Sequence, residues 1–150
     1  MQQVEIFEQI KRKFPQVSEE ESTKAVIVPG SMLAEVAAYL KSAEFSFDNL
    51  HCITAVDRVE RIELVYIFYS LKNHNRVILK VYLPPGELQV ESLTKFYRSA
   101  DWFEREVYDL FGVKFLNHPN LERILNPRDW KGYPLRKDYA NPDLVRKPRY

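Results

Sequence analysis

A chain of 150 residues with 45% apolar and 13% aromatic content is long and apolar enough to close one substantial core, which excludes a disordered or low-complexity polymer. The net charge of +1 excludes a generally nucleic-acid-like surface, but the charge is uneven: residues 1–111 hold 13 basic and 17 acidic groups, and residues 112–150 hold 9 basic and 4 acidic. The single cysteine, Cys52, excludes an intrachain disulfide and implies a reducing, cytoplasmic location. Glu5 and Glu8 interrupt any signal-peptide core, and no apolar run approaches the ~20 residues that cross a bilayer.

In chain order, Val4, Phe7, Ile10 and Phe14 fall at helical spacing before Pro15 and predict a short amphipathic helix. Lys24 to Val28, closed by Pro29-Gly30, predicts a first strand. Ser31 is placed to cap a helix whose Leu33, Val36, Ala37 and Leu40 form a core-facing stripe. Three strands follow over Leu50–Val56, Ile62–Leu71 and Arg76–Leu83, the last two joined by a hairpin at Asn73-His74-Asn75. In the last strand Val77, Leu79, Val81 and Leu83 alternate with Arg76, Ile78, Lys80 and Tyr82, so one face is buried and the other partly wet.

Ser92 to Tyr97 predicts a short helix after Pro84-Pro85-Gly86. Asp101 and Glu104 then stand at capping-box spacing ahead of an apolar stripe of Phe103, Val107, Leu110 and Phe111, and Gly112 supplies the stop, so residues 102–111 are predicted helical. The fold class expected is α+β, a two-layer sandwich of helices on a mainly antiparallel sheet over residues 1–111. Residues 112–150 read as an extended arm, because prolines 119, 127, 134, 142 and 148 punctuate them. Phe115, Leu116, Leu121, Ile124, Leu125, Trp130, Tyr133, Leu135 and Tyr139 give that arm too much apolar surface for a solvated tail.

Catalytic constellations are poor. Glu104, Glu106 and Asp109 spread around a helix among Trp102, Arg105 and Tyr108 and read as surface or interface charges. His51 and Cys52 point to opposite sides of a strand, with no further ligand to complete a metal site. His118 precedes Pro119, which favours extended backbone and lets the ring orient the start of the arm; no nucleophile partners it. Four glycines supply no phosphate loop, and one cysteine cannot ligate an iron–sulfur cluster, so no cofactor is expected. The basic, aromatic arm could suit RNA, but Asp129, Asp138 and Asp143 interrupt it and the sheet lacks a ribonucleoprotein motif, which favours protein contact.

The run Trp102-Phe103-Glu104-Arg105-Glu106-Val107-Tyr108-Asp109-Leu110-Phe111-Gly112 is followed by His118-Pro119-Asn120-Leu121, Arg123-Ile124-Leu125 and Asp129-Trp130. Gly132 and Pro134-Leu135-Arg136-Lys137-Asp138-Tyr139 complete the string. It resembles the thirty-kilodalton subunit family of complex I, the C-type subunits of NADH:quinone oxidoreductase. Thr54-Ala55-Val56-Asp57 and the strands from Ile62 to Leu83 resemble that family's N-terminal domain. Glu122 stands where the family usually has a basic residue, and Tyr133 where His is common.

The resemblance implies a non-catalytic structural subunit of an NADH (or other donor):quinone oxidoreductase, peripheral on the cytoplasmic side of the membrane and without a cofactor of its own. It implies docking on the large hydrogenase-like subunit of the D type and on neighbouring iron–sulfur subunits, in support of electron transfer coupled to ion translocation. A subunit of a membrane-bound energy-converting hydrogenase is the alternative, and an RNA-binding module the more distant one. The expected partner-binding residues are Trp102, Glu104, Arg105, Glu106, Tyr108, Asp109, His118, Pro119, Arg123, Trp130, Leu135, Arg136, Lys137, Asp138 and Tyr139. Among them Trp130, Leu135 and Tyr139 are the apolar anchors, and Arg136 can grip a carboxylate in two-toothed fashion.

Overall fold

Alternation of side chains along two long hairpin strands builds the centre of the molecule. In the computed structural model, which describes residues 3–140, Leu64, Tyr66 and Phe68 of one strand and Val77, Leu79 and Val81 of the next are fully buried, while the residues between them are mostly half-exposed. The sheet runs β1 (Ser18–Glu19), β2 (Val26–Ile27), β5 (Asn75–Leu83), β4 (Ile62–Ser70), β3 (Asn49–Asp57) in spatial order. β3, β4 and β5 pair antiparallel, and β2 joins β5 in parallel through Val26↔Leu79 and Ile27↔Lys80. His74 adopts φ 52° at the β4–β5 turn, a left-handed position at the predicted hairpin.

The helices α1 (Gln3–Lys13), α2 (Leu33–Lys41) and α3 (Ala100–Phe111) cover one side of this sheet. Leu33, Val36, Ala37 and Leu40 of α2 are buried as the stripe predicts, and α1 buries Ile6 together with Phe7, Ile10 and the following Phe14. Phe14 meets Tyr39 of α2 edge-on at 5.8 Å, which ties the two helices together. The Tyr97 ring lies 5.3 Å from Phe68, and its hydroxyl donates to the Phe47 carbonyl at 2.9 Å, so the segment after α2 is stitched to the covered face. The α+β two-layer sandwich is therefore the observed architecture.

Several local expectations change. Ser31 does not cap α2: it sits inside a 3-10 turn, Gly30–Met32, and the Met32 amide bonds the Pro29 carbonyl instead. The strand expected over Lys24–Val28 contracts to Val26–Ile27, because Lys24 turns at φ 57° to pair β2 with an unforeseen β1. Ser92–Tyr97 is a single turn, not a helix: the Phe96 and Tyr97 amides both close on the Leu93 carbonyl. The capping box also fails: the N-cap of α3 is Ser99, without a side-chain bond, and Glu104 points inward. The buried residues of α3 are Ala100, Glu104, Val107, Asp109 and Phe111, with Phe103 and Leu110 only half-buried beside them.

Gly112 ends α3 in the left-handed conformation at φ 74°, as predicted. A side chain there would also lie 2.5 Å from the Tyr133 ring. The arm does begin with sheet structure: β7 (Lys114–Leu116) pairs in parallel with β6 (Gln89–Glu91), burying Phe115 against Val90. The Val4 side chain and Pro142, Asp143, Arg146, Lys147, Pro148, Arg149 and Tyr150 lie outside the described residues.

Candidate docking site

Two inward carboxylates of α3 organise everything that follows it. Glu104 is fully enclosed; its Oε2 accepts from the Ser92 hydroxyl at 2.6 Å and its Oε1 from the Leu93 amide at 2.7 Å. Burial pushes its carboxyl up to about 7, against the pull of those two hydrogen bonds. His118, its side chain also enclosed, approaches from the start of the arm. Its Nδ1 accepts from the Asn120 amide at 3.0 Å, so the neutral ring carries its proton on Nε2. That nitrogen donates to the Asp101 carbonyl at 3.2 Å and faces Asp101 Oδ1 at 3.3 Å and Glu104 Oε2 at 3.8 Å. Tyr66 of β4 belongs to the same interior, its hydroxyl raised well above the ordinary range by burial and then by Glu104.

Asp109, one turn and a residue further along, fills a cradle made by the arm. Its Oδ2 accepts from three successive amides, Ile124 at 3.1 Å, Leu125 at 2.8 Å and Asn126 at 2.9 Å. Its Oδ1 accepts from Arg123 Nη1 at 2.7 Å and Asn126 Nδ2 at 2.9 Å. Consecutive amides turned toward one point form an anion-binding concavity, here occupied by the chain's own carboxylate. Burial alone would raise this group, but the bonds from Asn126, Arg123 and Leu125 outweigh it and hold the carboxyl at about 2.

The arm then closes over the end of the helix. Leu135 donates its amide to the Leu110 carbonyl at 3.1 Å, and Arg136 Nε donates to the Phe111 carbonyl at 2.5 Å, satisfying orphan acceptors where the helix dipole favours a cation. Tyr133 lies between two guanidiniums, Arg123 at 5.2 Å and Arg136 at 4.6 Å, with Tyr108 edge-on at 6.5 Å. A second latch comes from the far end of the sheet. Asp57 Oδ2 accepts the Lys137 amide at 2.8 Å while Oδ1 accepts the Val59 amide at 2.6 Å, and these bonds, Lys137 first, lower its carboxyl below the usual range.

The expected partner-binding residues thus divide. Glu104 and Asp109, read from sequence as surface or interface charges, are enclosed and spend their oxygens inside the chain, so they position the arm and offer nothing outward. His118, Arg123 and Arg136 also bond within the chain, Arg136 through its Nε to the Phe111 carbonyl, and Tyr108 is half-buried against the Tyr133 ring. Trp102, 62% exposed under the Arg105 guanidinium at 5.1 Å, faces outward with Glu106, Pro119, Leu135, Lys137 and Asp138. Trp130 and Tyr139 are half-buried, the latter resting against Gly132. The Trp130 indole N–H is enclosed without an acceptor among the described residues.

Glu122 has its own use: it pairs with Arg128 at 2.9 Å, and its carbonyl accepts from Arg105 at 3.2 Å. Sequence reasoning overlooked Asp57 as a latch. Its only signal was its place in the Thr54-Ala55-Val56-Asp57 string.

The family model of the respiratory-chain NADH dehydrogenase 30 Kd subunit matches residues 26–144. The chain belongs to that family. The C subunit of NADH-quinone oxidoreductase from Geobacter sulfurreducens is 39% identical over 127 residues, covering 82% of this chain and 78% of its own. A fused C/D subunit of NADH-quinone oxidoreductase from Buchnera aphidicola is 38% identical over 122 residues, 75% of this chain. The match spans only 20% of that longer relative. A chain of the membrane-bound sulfane sulfur reductase, an archaeal respiratory membrane complex, superposes with a TM-score of 0.77 at 29% identity, covering 91% of this chain and 85% of that one. As a member of the 30 Kd subunit family, the chain is a structural subunit of a membrane-associated oxidoreductase complex. No helix among the described residues is long and apolar enough to cross a membrane.

Proposed function

We propose that residues 112–150 are the docking arm of this subunit and that the arm and the outer side of α3 seat it on a large hydrogenase-like subunit of the D type. The observation that carries the reading is the contrast between the two sides of the arm. On the inner side Asp109, Asp57 and the end of α3 consume its polar groups; on the outer side Leu125 and Leu135 stand 62% and 53% exposed, with Trp102 62% exposed on the helix. Large apolar side chains held out on an ordered backbone are the economical way to bind a partner, because little entropy remains to be lost. Single-chain occurrence of a C-like segment within a C/D protein supports a D-type neighbour.

In this reading the chain sits at the cytoplasmic side of the membrane, touches iron–sulfur subunits next to the D-type one, and itself carries no electrons. Electron donor, quinone chemistry and ion translocation belong to the other chains. Likeness to an archaeal respiratory complex that is a sulfane sulfur reductase supports a scaffold used with more than one electron acceptor. Replacing Leu135 by Asp in the full chain, and separately Trp102 by Asp, tests the surface. Each variant is expected to melt within a few degrees of the wild type yet enter the complex poorly; normal incorporation of both variants overturns the reading.

A further inference from the structure

All three helices lie on one side of the five-stranded sheet, and no helix among the described residues covers the other, where only Glu63 and Lys80 at one end are buried, by their ion-pair partners. Register puts Cys52, Ile67 and Ile78 in one row across β3, β4 and β5, with Val65 of β4 on one side of that row and Tyr69 on the other. All five are half-buried and stand outside the continuous core. A sheet that feeds helices to one side only, and keeps a mainly aliphatic strip on the other, has an unfilled layer.

The charges around the strip are unequal at its two ends. Beside Val65, Lys80 is taken by Glu20 at 2.6 Å, and beyond it Glu63 is taken by Arg61 at 2.6 Å and Arg58 at 3.4 Å, so that end is closed. Beyond Ile67, next to Tyr69, Arg76 and the turn residue Lys72 are exposed and make no ion pair among the described residues. The dimensions also select an occupant. Three strands about 4.8 Å apart span roughly 10 Å, the width of one helix, and the four residue steps from Val65 to Tyr69 extend for roughly 13 Å, the length of about nine helical residues.

We propose that this face is a second docking surface, distinct from the arm, that seats an amphipathic helix of a neighbouring chain of the complex. The helix lays aliphatic residues at i, i+3, i+4 and i+7 along the Val65–Ile67–Tyr69 line of β4, between Cys52 and Ile78, and places one or more carboxylates beside Arg76 and Lys72. The proposal rests on the chain's membership of a multi-subunit complex and not on the arm's role.

A photo-reactive side chain at Ile78 in the assembled complex tests it. The expected product is a cross-link to a helical, acidic segment of another chain, with the Cys52 thiol slower to alkylate in the complex than in the free subunit. Arg76→Glu is expected to lower retention of the subunit in moderate salt by at least about threefold, and reversal of the cross-linked acid to Arg to restore it. Cross-linking to a second copy of this chain, to a segment without acidic residues or to no protein overturns the proposal, as does full retention of Arg76→Glu. Because the cross-link is read in complexes whose arm is wild type, a failure of arm docking, seen with Leu135→Asp, is scored separately.

Discussion

Asp109 shows how one side chain fixes the path of a whole segment. Five hydrogen bonds converge on it, three of them from consecutive backbone amides, so a neutral amide in its place must turn a donor toward other donors. Asp109→Asn is expected to cost about 3 kcal/mol or more, as removal of one partner from a buried pair does, and to open the arm to trypsin at Arg123 and Arg128. Wild-type melting and digestion rates in that variant would contradict the latch.

Glu104 gives the opposite dependence on acidity. Its folded carboxyl, at about 7, lies above the ordinary 4.5, so the native state holds the proton more tightly. Its contribution is therefore complete below about pH 4.5 and is lost as pH rises through about 7. Glu104→Gln removes that charge, and the decline in melting temperature between pH 5 and 8 is expected to flatten relative to the wild type; parallel profiles would show that Glu104 does not titrate there. Asp109, held at about 2, acts only on the acid side, its contribution present above about pH 4 and fading below that. The groups facing Glu104 are His118 and Asp101 at the start of the arm and helix, Tyr66 from the sheet and Glu91 from β6.

Among the elements, periodicity carries far. The α2 stripe, the β4–β5 hairpin and the Gly112 stop all stand where their residues predict, because each is decided by local spacing or by a single backbone conformation. What sequence could not give is which polar residues turn inward. Glu104 occupies the buried row of α3 because Ser92 and Leu93, twelve and eleven positions earlier, offer it donors, and no helical period contains that information. The stripe of α3 is accordingly rotated toward Val107 and Phe111. Phe111→Ala is expected to cost about 3–5 kcal/mol and the half-exposed Phe103→Ala clearly less. Equal losses in denaturant titrations would restore the stripe read from sequence.

Across the molecule, a two-layer domain carries a long segment without helix or much strand, and that segment is ordered by being threaded past three acceptors, Asp109, the end of α3 and Asp57. The family string was legible as motif, but its inner and outer sides were not, since holding a path and meeting a partner call for the same residue types. In the proposed role this threaded arm serves docking and not the stability of its own domain. Truncation after Asn126 separates the two, because it keeps the Asp109 cradle and removes Trp130, Leu135 and the Asp57 latch. The expected product is a domain that still folds cooperatively but no longer joins the complex; loss of most of the domain's stability with assembly otherwise intact would contradict the docking role.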